Sequence, residues 1–216
     1  MDQFLAFPLE QIPYVVIALM IAFTIHEFAH AYVAYKFGDP TAKNEGRVSL
    51  NPLVHLDPIG TLLIFIVGFG WAKPVPVNRF YFRNPKLAGP LVSVAGPLSN
   101  ICLAFLFMVI WFLFTAVAGG TSEWLHSFFV INVNLNLILA VFNLLPLPPL
   151  DGYRIIQDLV PNTTRAKLNQ YEHYSILIFL VLVITPLGDF IFLPLFHTVV
   201  PFLFDVMSSI LMPLWG

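Results

Sequence analysis

Long apolar segments alternate with polar connections along most of this chain. A transmembrane α-helix needs about 20 mostly apolar residues, so runs of this length predict helices that cross a bilayer. Together with an ambiguous tail at residues 190–215, the pattern predicts an all-α polytopic membrane protein with about five to six transmembrane helices. The strong apolar segments are residues 12–37, 87–118, 124–145 and 174–187.

Two further apolar regions are harder to interpret. Residues 59–71 are too short to cross a bilayer as a helix. Seven of the ten Lys and Arg residues lie between Lys36 and Lys86, and the other three lie at positions 154–167. If residues 59–71 are re-entrant, both basic regions face the cytoplasm and the N-terminus lies outside, as the positive-inside rule favours. The proline-containing tail predicts either a kinked span or an interfacial helix.

The region after the first apolar segment also contains two strand-like stretches. The sequences EGRVSLNP (residues 45–52) and KPVPVN (residues 73–78) have alternating, β-branched character, with prolines that restrict pairing to an edge. They predict a short membrane-associated β-hairpin whose edge could bind an extended peptide. An ordinary loop with turn residues is the alternative.

The composition excludes a water-soluble globule and several kinds of site. The 216 residues are 58% hydrophobic and 10% charged, with a mean hydropathy of +0.84. The net charge is -2 and no basic stripe is present, so the expected partner is the lipid bilayer and not nucleic acid. The single cysteine, Cys102, excludes an intrachain disulfide and a cysteine-built metal site.

Three ionisable side chains interrupt the first apolar segment: His26, Glu27 and His30. An ionisable group at bilayer depth costs roughly 2.5–3.5 kcal/mol, so a cluster of three indicates a function. In a helix, residues four apart lie on one face, and the two imidazoles can converge on one cation. Zinc suits imidazole nitrogen, and the glutamate between the histidines is placed to take a proton from an attacking water. The HExxH pattern therefore favours a zinc-dependent hydrolase over histidines buried in an ordinary helical core.

A catalytic zinc site needs a third protein ligand, and Asp151 is the best-placed candidate. It follows Pro146, Pro148 and Pro149 at the broken end of an apolar segment. Irregular backbone at membrane depth is tolerated where it is buried in protein or lines a wet cavity. The Pro-Leu-Asp-Gly sequence is also a common turn signal, so the residues alone leave a ligand and a turn open as interpretations of Asp151.

Three motifs, in this order, resemble the site-2 protease family of intramembrane zinc metalloproteases, in its compact branch without a PDZ or CBS domain. They are HEFAH at residues 26–30, AGPLSN at 95–100 and FNLLPLPPLDG at 142–152. The resemblance implies that His26, His30 and Asp151 bind one Zn²⁺ per chain and that Glu27 is the catalytic base. We expect a single transmembrane protease domain over residues 1–216, with a catalytic core at about 12–157 and C-terminal helices at about 171–216.

Polar residues elsewhere in the apolar segments are further candidates. The resemblance implies that Asn100 helps to bind substrate or the developing oxyanion, whereas its small neighbours alone indicate a hydrogen bond between packed helices. Asn132, Asn136 and Asn143 lie on one face of a helix, and Asn143 is the one expected to contact the active site. His55 is a candidate for supporting or gating the site.

The resemblance implies regulated intramembrane proteolysis, the hydrolysis of a peptide bond in or near the transmembrane segment of a single-pass membrane protein. A membrane-tethered transcription regulator or an anti-sigma factor is the expected substrate. We expect an integral protein of a prokaryotic plasma membrane with the active site toward the cytoplasmic side. The alternatives are a catalytically silent zinc-binding membrane scaffold, which would have lost the base that Glu27 provides, and a transporter, which would show internal repeats.

Overall fold

The computed structural model describes residues 6–68, 70–120 and 122–214 of the chain. This part of the chain consists of eight α-helices joined by turns and by short 3₁₀ segments. The helices are α1 (Ile12–Lys36), α2 (Thr41–Asn44), α3 (Pro58–Val67), α4 (Pro85–Ala118), α5 (Glu123–Asn143), α6 (Asp151–Leu159), α7 (Asn162–Ile184) and α8 (Pro186–Leu211).

Three long helices, α1, α4 and α5, pack against one another and position the site described below. Proline in α1 is confined to the first turn, where its missing N–H costs no intrahelical hydrogen bond. On the far side, α8 packs against α4 and α5 around a buried core that includes Met108, Leu137 and Met207. The short helix α6 packs against α4, so the chain returns to the centre of the molecule after α5.

Four of the described helices are long and apolar enough to cross a membrane: α1, α4, α5 and α8. The chain is therefore a membrane protein, although the predicted count of five to six spans is not reached in the described residues. The ambiguous tail belongs to α8, which continues through Pro194 and Pro201. Most of the predicted segment at 174–187 belongs to α7, which begins at Asn162, carries Arg165 and Lys167 in its first turns and ends at Ile184, while the last two residues of the predicted segment start α8. This polar start makes α7 longer than the apolar pattern indicated.

The short apolar region between the two strand-like stretches forms α3, which has only ten residues. The Asp57 side chain caps the helix by accepting a hydrogen bond from the Gly60 N–H, and Gly68 ends it in the left-handed conformation. The chain then returns so closely that a Cβ on Gly70 would lie 1.9 Å from the Gly60 carbonyl oxygen. Ile64 packs on α1, and the segment doubles back on itself within the protein.

The predicted β-hairpin is not found among the described residues, which contain one isolated bridge, between Leu56 and Ala72, and no strand. Prolines remove several N–H groups that a ladder of hydrogen bonds would need. The buried side chain of Arg47 instead donates to the carbonyl oxygens of Lys73 and Pro74. The hydrogen bonds of a charged side chain, and not the predicted strand pairing, therefore hold the extended chain after α3 in place.

Candidate metal centre

Two histidines of α1 place their ring nitrogens at one point. His26 and His30 are four residues apart, little more than one helical turn, so their side chains project from one face of the helix. Their Nε2 atoms lie 3.0 Å apart, and both residues are buried. A single helix thus supplies two imidazole nitrogens to the same site.

Asp151 brings a carboxylate to this point from the start of α6. Its Oδ2 lies 3.2 Å from the Nε2 of His26 and 3.2 Å from the Nε2 of His30. The next residue, Gly152, packs so closely against the end of α5 that a Cβ would lie 2.2 Å from the Leu144 carbonyl oxygen. The absence of a side chain at Gly152 therefore lets this turn lie against α5. The structure brings together the three residues that were predicted as ligands.

Helix α4 sets the orientation and the tautomer of both rings. The Nδ1–H of His30 donates to the Val92 carbonyl oxygen at 2.7 Å, and a carbonyl oxygen can only accept. The Nδ1 of His26 lies 2.6 Å from the Oδ1 of Asn100, whose Nδ2 donates to the Oδ1 of Asn136. Both Nδ1 atoms are then donors, which leaves a lone pair on each Nε2.

The three converging atoms fit a metal ion. The two Nε2 atoms and the Asp151 Oδ2 lie 3.0–3.2 Å from one another. All three are hydrogen-bond acceptors, so none of them can donate to another. In tetrahedral zinc, Zn–N bonds of about 2.0–2.1 Å separate the ligand atoms by roughly 3.3 Å. Gly96 leaves room beside the rings, since a Cβ there would lie 2.3 Å from the Nε2 of His30. Two imidazoles and one carboxylate, with a fourth position open, are the donor set of a catalytic zinc site.

Glu27 shares a cavity with these ligands. The cavity has a volume of about 610 Å³ and a mainly apolar lining, which also includes Asn143 and Arg154. Glu27 is buried, and its Oε2 accepts a hydrogen bond of 3.1 Å from the Val75 N–H. A backbone donor in the extended chain after α3 therefore holds the carboxylate beside the two histidines.

Comparison with known proteins identifies the family. A family model described as Peptidase family M50 matches residues 115–186, which include Asp151. A protein of Bacillus subtilis named "Putative zinc metalloprotease YwhC" is 54% identical over 218 residues, covering 99% of this chain and 100% of that relative. The chain belongs to peptidase family M50, the site-2 protease family. Membership of this family of zinc metalloproteases implies a zinc ion at the site.

More distant relatives of this M50 chain carry similar names. "Putative zinc metalloprotease Rip2" of Mycobacterium tuberculosis strain H37Rv is 31% identical over 183 residues, covering 80% of this chain and 67% of the relative. "Putative zinc metalloprotease MJ0611" of Methanocaldococcus jannaschii is 32% identical over 142 residues, covering 65% of this chain and 68% of the relative. No solved structure is significantly similar to the chain.

The predicted asparagines occupy different positions around the M50 site. Asn100 is fully buried, and its carboxamide bonds to His26 and Asn136, so the structure places it against a ligand ring. Asn143 lines the cavity, and its Nδ2 donates to the Leu139 carbonyl oxygen at 2.9 Å. Of the two, Asn143 is the one whose oxygen has no described hydrogen bond within the protein.

His55 does not line this cavity in the described part of the chain. It is fully buried, and its Nε2–H donates to the Ser49 carbonyl oxygen at 2.7 Å. Burial lowers the pKa of His55 below its ordinary value, and the Arg47 guanidinium lowers it further. The ring is therefore neutral, and it joins two parts of the loop between α2 and α3.

Three contacts near the site were missed by the sequence analysis. The Val75 N–H and the Val92 carbonyl oxygen are backbone groups, which leave no signal in side-chain identity. Arg47 is only 3% exposed and orders the segment that contains Val75, but in the sequence it is one of many basic residues in a loop. The prolines beside Val75 are the available signal, because they exclude regular pairing of that segment.

Proposed function

We propose that the chain is an intramembrane zinc metalloprotease that hydrolyses a peptide bond in or near the transmembrane segment of single-pass membrane proteins. The observation that carries this proposal is the placement of Glu27 in one cavity with His26, His30 and Asp151. Membership of peptidase family M50 supports the reaction class. The helices that pack around the site are apolar enough to cross a membrane, which supports cleavage within the bilayer.

The three ligands and the glutamate have separate roles in this proposal. His26, His30 and Asp151 would hold zinc, which when bound supplies Lewis-acid activation of water and of the scissile carbonyl. Glu27 takes a proton from the attacking water and later donates it to the departing amine nitrogen. The Val75 N–H fixes the orientation of the Glu27 carboxylate.

The substrate must present an unwound backbone to these groups. A peptide bond in a helix is covered by side chains and hydrogen-bonded, so a transmembrane helix has to open locally before hydrolysis. Residues 73–77 form neither helix nor strand, and Pro74 and Pro76 favour an extended backbone at the residues before them. Several residues of this segment line the cavity wall. We propose that the opened substrate lies along this segment of the cavity wall as an extended peptide.

The membrane orientation follows from the basic residues. The group from Lys36 to Lys86 and the group at positions 154–167 would both lie in the cytoplasm, with the N-terminus outside. His26 and His30 lie in the second half of α1, so the site would be nearer the cytoplasmic face of a prokaryotic plasma membrane. A membrane-tethered transcription regulator or an anti-sigma factor, released by regulated intramembrane proteolysis, is the proposed substrate.

Reconstitution in liposomes with a model single-pass substrate tests the proposal. The parent should cleave in or beside the transmembrane segment, as located by mass spectrometry, and a zinc chelator should stop cleavage. Glu27→Gln should slow cleavage by about 10²–10⁴-fold, the range for loss of an acid–base group. Asp205→Asn, which alters an exposed carboxylate on α8, is the matched control. A parent that binds zinc but cleaves no substrate would instead be a zinc-binding scaffold.

A further inference from the structure

A second cavity adjoins the one that contains the metal ligands. It has a volume of about 400 Å³ and is lined by polar side chains that include Arg79, Gln157 and Asn169. Ser93 and Arg154 line both cavities, as do valines of the extended segment and of α4. A polypeptide lying in the metal-containing cavity would therefore have this polar space directly beside it.

The second cavity has an excess of positive charge. Asp158, one turn beyond the middle of α6, is contacted by Arg79 through both carboxylate oxygens and by Arg165 through Oδ1. Burial raises the pKa of the Asp158 carboxyl to about 7, and Arg154 acts in the opposite direction. The two guanidinium groups in direct contact favour the ionised carboxylate. Arg79 and Arg165 thus share one carboxylate, and Arg154 adds a third positive charge nearby.

Arg154 has no ion pair or side-chain hydrogen bond among the described residues. It lies three residues after Asp151 on α6, so both side chains leave the helix on neighbouring faces. Gly89 packs directly on Asp158, since a Cβ there would lie 2.5 Å from its Oδ2, and this contact fixes α6 against α4. The guanidinium of Arg154 is therefore carried by an anchored helix, near Asp158 but without a direct hydrogen bond or ion pair in the part of the chain that the structure describes.

We propose that Arg154 is a specificity-determining residue that binds the side-chain carboxylate of an Asp or Glu of the substrate, close to the scissile bond. This inference rests on the proposed proteolytic function. A guanidinium binds a carboxylate through two parallel hydrogen bonds, and charge-assisted bonds of this kind are among the strongest in proteins. A peptide carboxylate is favoured over a lipid headgroup because Arg154 also lines the cavity in which the peptide would be cleaved.

The test uses a model single-pass substrate in liposomes. Each residue within four positions of its cleavage site is changed in turn to Asp or to Asn, which has nearly the same shape without the charge. For the parent, one position should show a kcat/KM for Asp about tenfold above that for Asn, mostly through KM. Arg154→Gln should reduce this ratio to about one, whereas Arg154→Glu should favour Lys at the same position.

Lys167→Gln is the matched control, because it removes one exposed positive charge from the neighbouring helix and should keep the preference for Asp. Zinc content and thermal unfolding of each variant are measured alongside. If Arg154→Gln slows the Asp and Asn substrates equally, Arg154 acts only on the structure of α6 and the proposal is wrong. A change only in the dependence on phosphatidylglycerol would assign the site to a lipid headgroup and would equally overturn it.

Binding to Glu27→Gln separates this proposal from proteolysis itself. Affinities for the Asp and Asn peptides are measured in that background, with and without Arg154→Gln, so that no cleavage is needed. A preference for Asp that disappears with Arg154→Gln supports the carboxylate site even if the parent cleaves nothing. If the parent cleaves, or Glu27→Gln binds, the Asp and Asn peptides equally well, the carboxylate site is rejected. The proteolytic function is then decided separately, by the cleavage experiment described above.

Discussion

The Nδ1 of His26 lies 2.6 Å from the Oδ1 of Asn100, which joins the first metal-ligand candidate on α1 to the middle of α4. Asn100 is in turn bonded to Asn136 of α5. One chain of hydrogen bonds therefore runs through the three helices at the centre of the molecule. Its effect on His26 is to direct the Nε2 lone pair toward His30 and Asp151.

Asn100→Ala should weaken zinc binding because it removes the group that fixes the His26 tautomer. Loss of such a supporting hydrogen bond typically costs about 10–100-fold in metal affinity. The measurement is a competition titration against a chromophoric zinc chelator in detergent. Ser99→Ala is the control, because among the described residues the Ser99 hydroxyl bonds within α4, to the Gly96 carbonyl oxygen. An affinity for Asn100→Ala equal to that of Ser99→Ala would contradict the supporting role of Asn100.

Gly96→Ala should abolish zinc binding without weakening α4 itself. The added Cβ would lie 2.3 Å from the Nε2 of His30 and 2.6 Å from the Nε2 of His26. By helix propensity alone, the same substitution favours the helix by about 0.5–1 kcal/mol. Elemental analysis of the purified variant should therefore find little zinc in a protein that retains its helical circular dichroism. Zinc content equal to that of the parent would show that a Cβ at position 96 fits beside the rings of His26 and His30, and would contradict this close contact.

Arg47→Met should destabilise the protein and slow cleavage. The substitution leaves the carbonyl oxygens of Lys73 and Pro74 without their charged donor, and bonds to charged groups contribute about 1.5–3 kcal/mol each. The Val75 N–H that contacts Glu27 belongs to the same segment. Thermal unfolding in detergent should show a lower midpoint than the parent. Arg83→Met, which changes an exposed arginine, should leave both the midpoint and the cleavage rate close to parental values.

His55 should make stability depend on pH. Burial and Arg47 lower its pKa in the folded protein, so the unfolded state binds the proton more readily. The free energy of unfolding should therefore fall as the pH is lowered through about 6.5, the ordinary pKa of histidine. The hydrogen bond to the Ser49 carbonyl oxygen and, less strongly, Glu27 oppose this lowering of the pKa, which limits its size. His55→Gln keeps a donor for the Ser49 carbonyl oxygen and removes the titration.

The measurement for His55 is chemical unfolding between pH 7.5 and 5.5, with the same zinc concentration for parent and variant. Because every other group is the same in both proteins, the difference between the two pH profiles isolates His55. The parent should lose more stability than His55→Gln over this range. Parallel profiles would mean that His55 has the same proton affinity in the folded and unfolded states.

The long helices near the site could be predicted closely from the sequence. The apolar pattern placed the first segment at residues 12–37, and α1 runs from Ile12 to Lys36. It placed the second and third at 87–118 and 124–145, and α4 and α5 begin within two residues of those limits. The HExxH spacing required two imidazoles on one helical face, and the structure adds Asp151 at the same point.

The region between α1 and α4 could not be predicted in the same way. Its alternating residues resemble strands, but its backbone groups bond to Arg47, Glu27 and Asp39, which are distant in sequence. Side-chain pattern does not reveal such bonds, because one charged residue can satisfy any carbonyl or N–H within reach. Gly60 and Gly70 are the residues in the sequence that indicate this turn of the chain. The chain returns so closely at α3 that neither position has room for a Cβ.

Zinc stoichiometry, measured by elemental analysis on the purified protein, tests the central claim most directly. The parent and Glu27→Gln should each contain one zinc per chain, because Glu27 is not among the three converging ligand atoms. Asp151→Ala should lose the metal, and Asp205→Ala, at an exposed carboxylate, should retain it. One zinc per chain in Asp151→Ala, or none in the parent, would contradict the assignment of His26, His30 and Asp151 as the metal site.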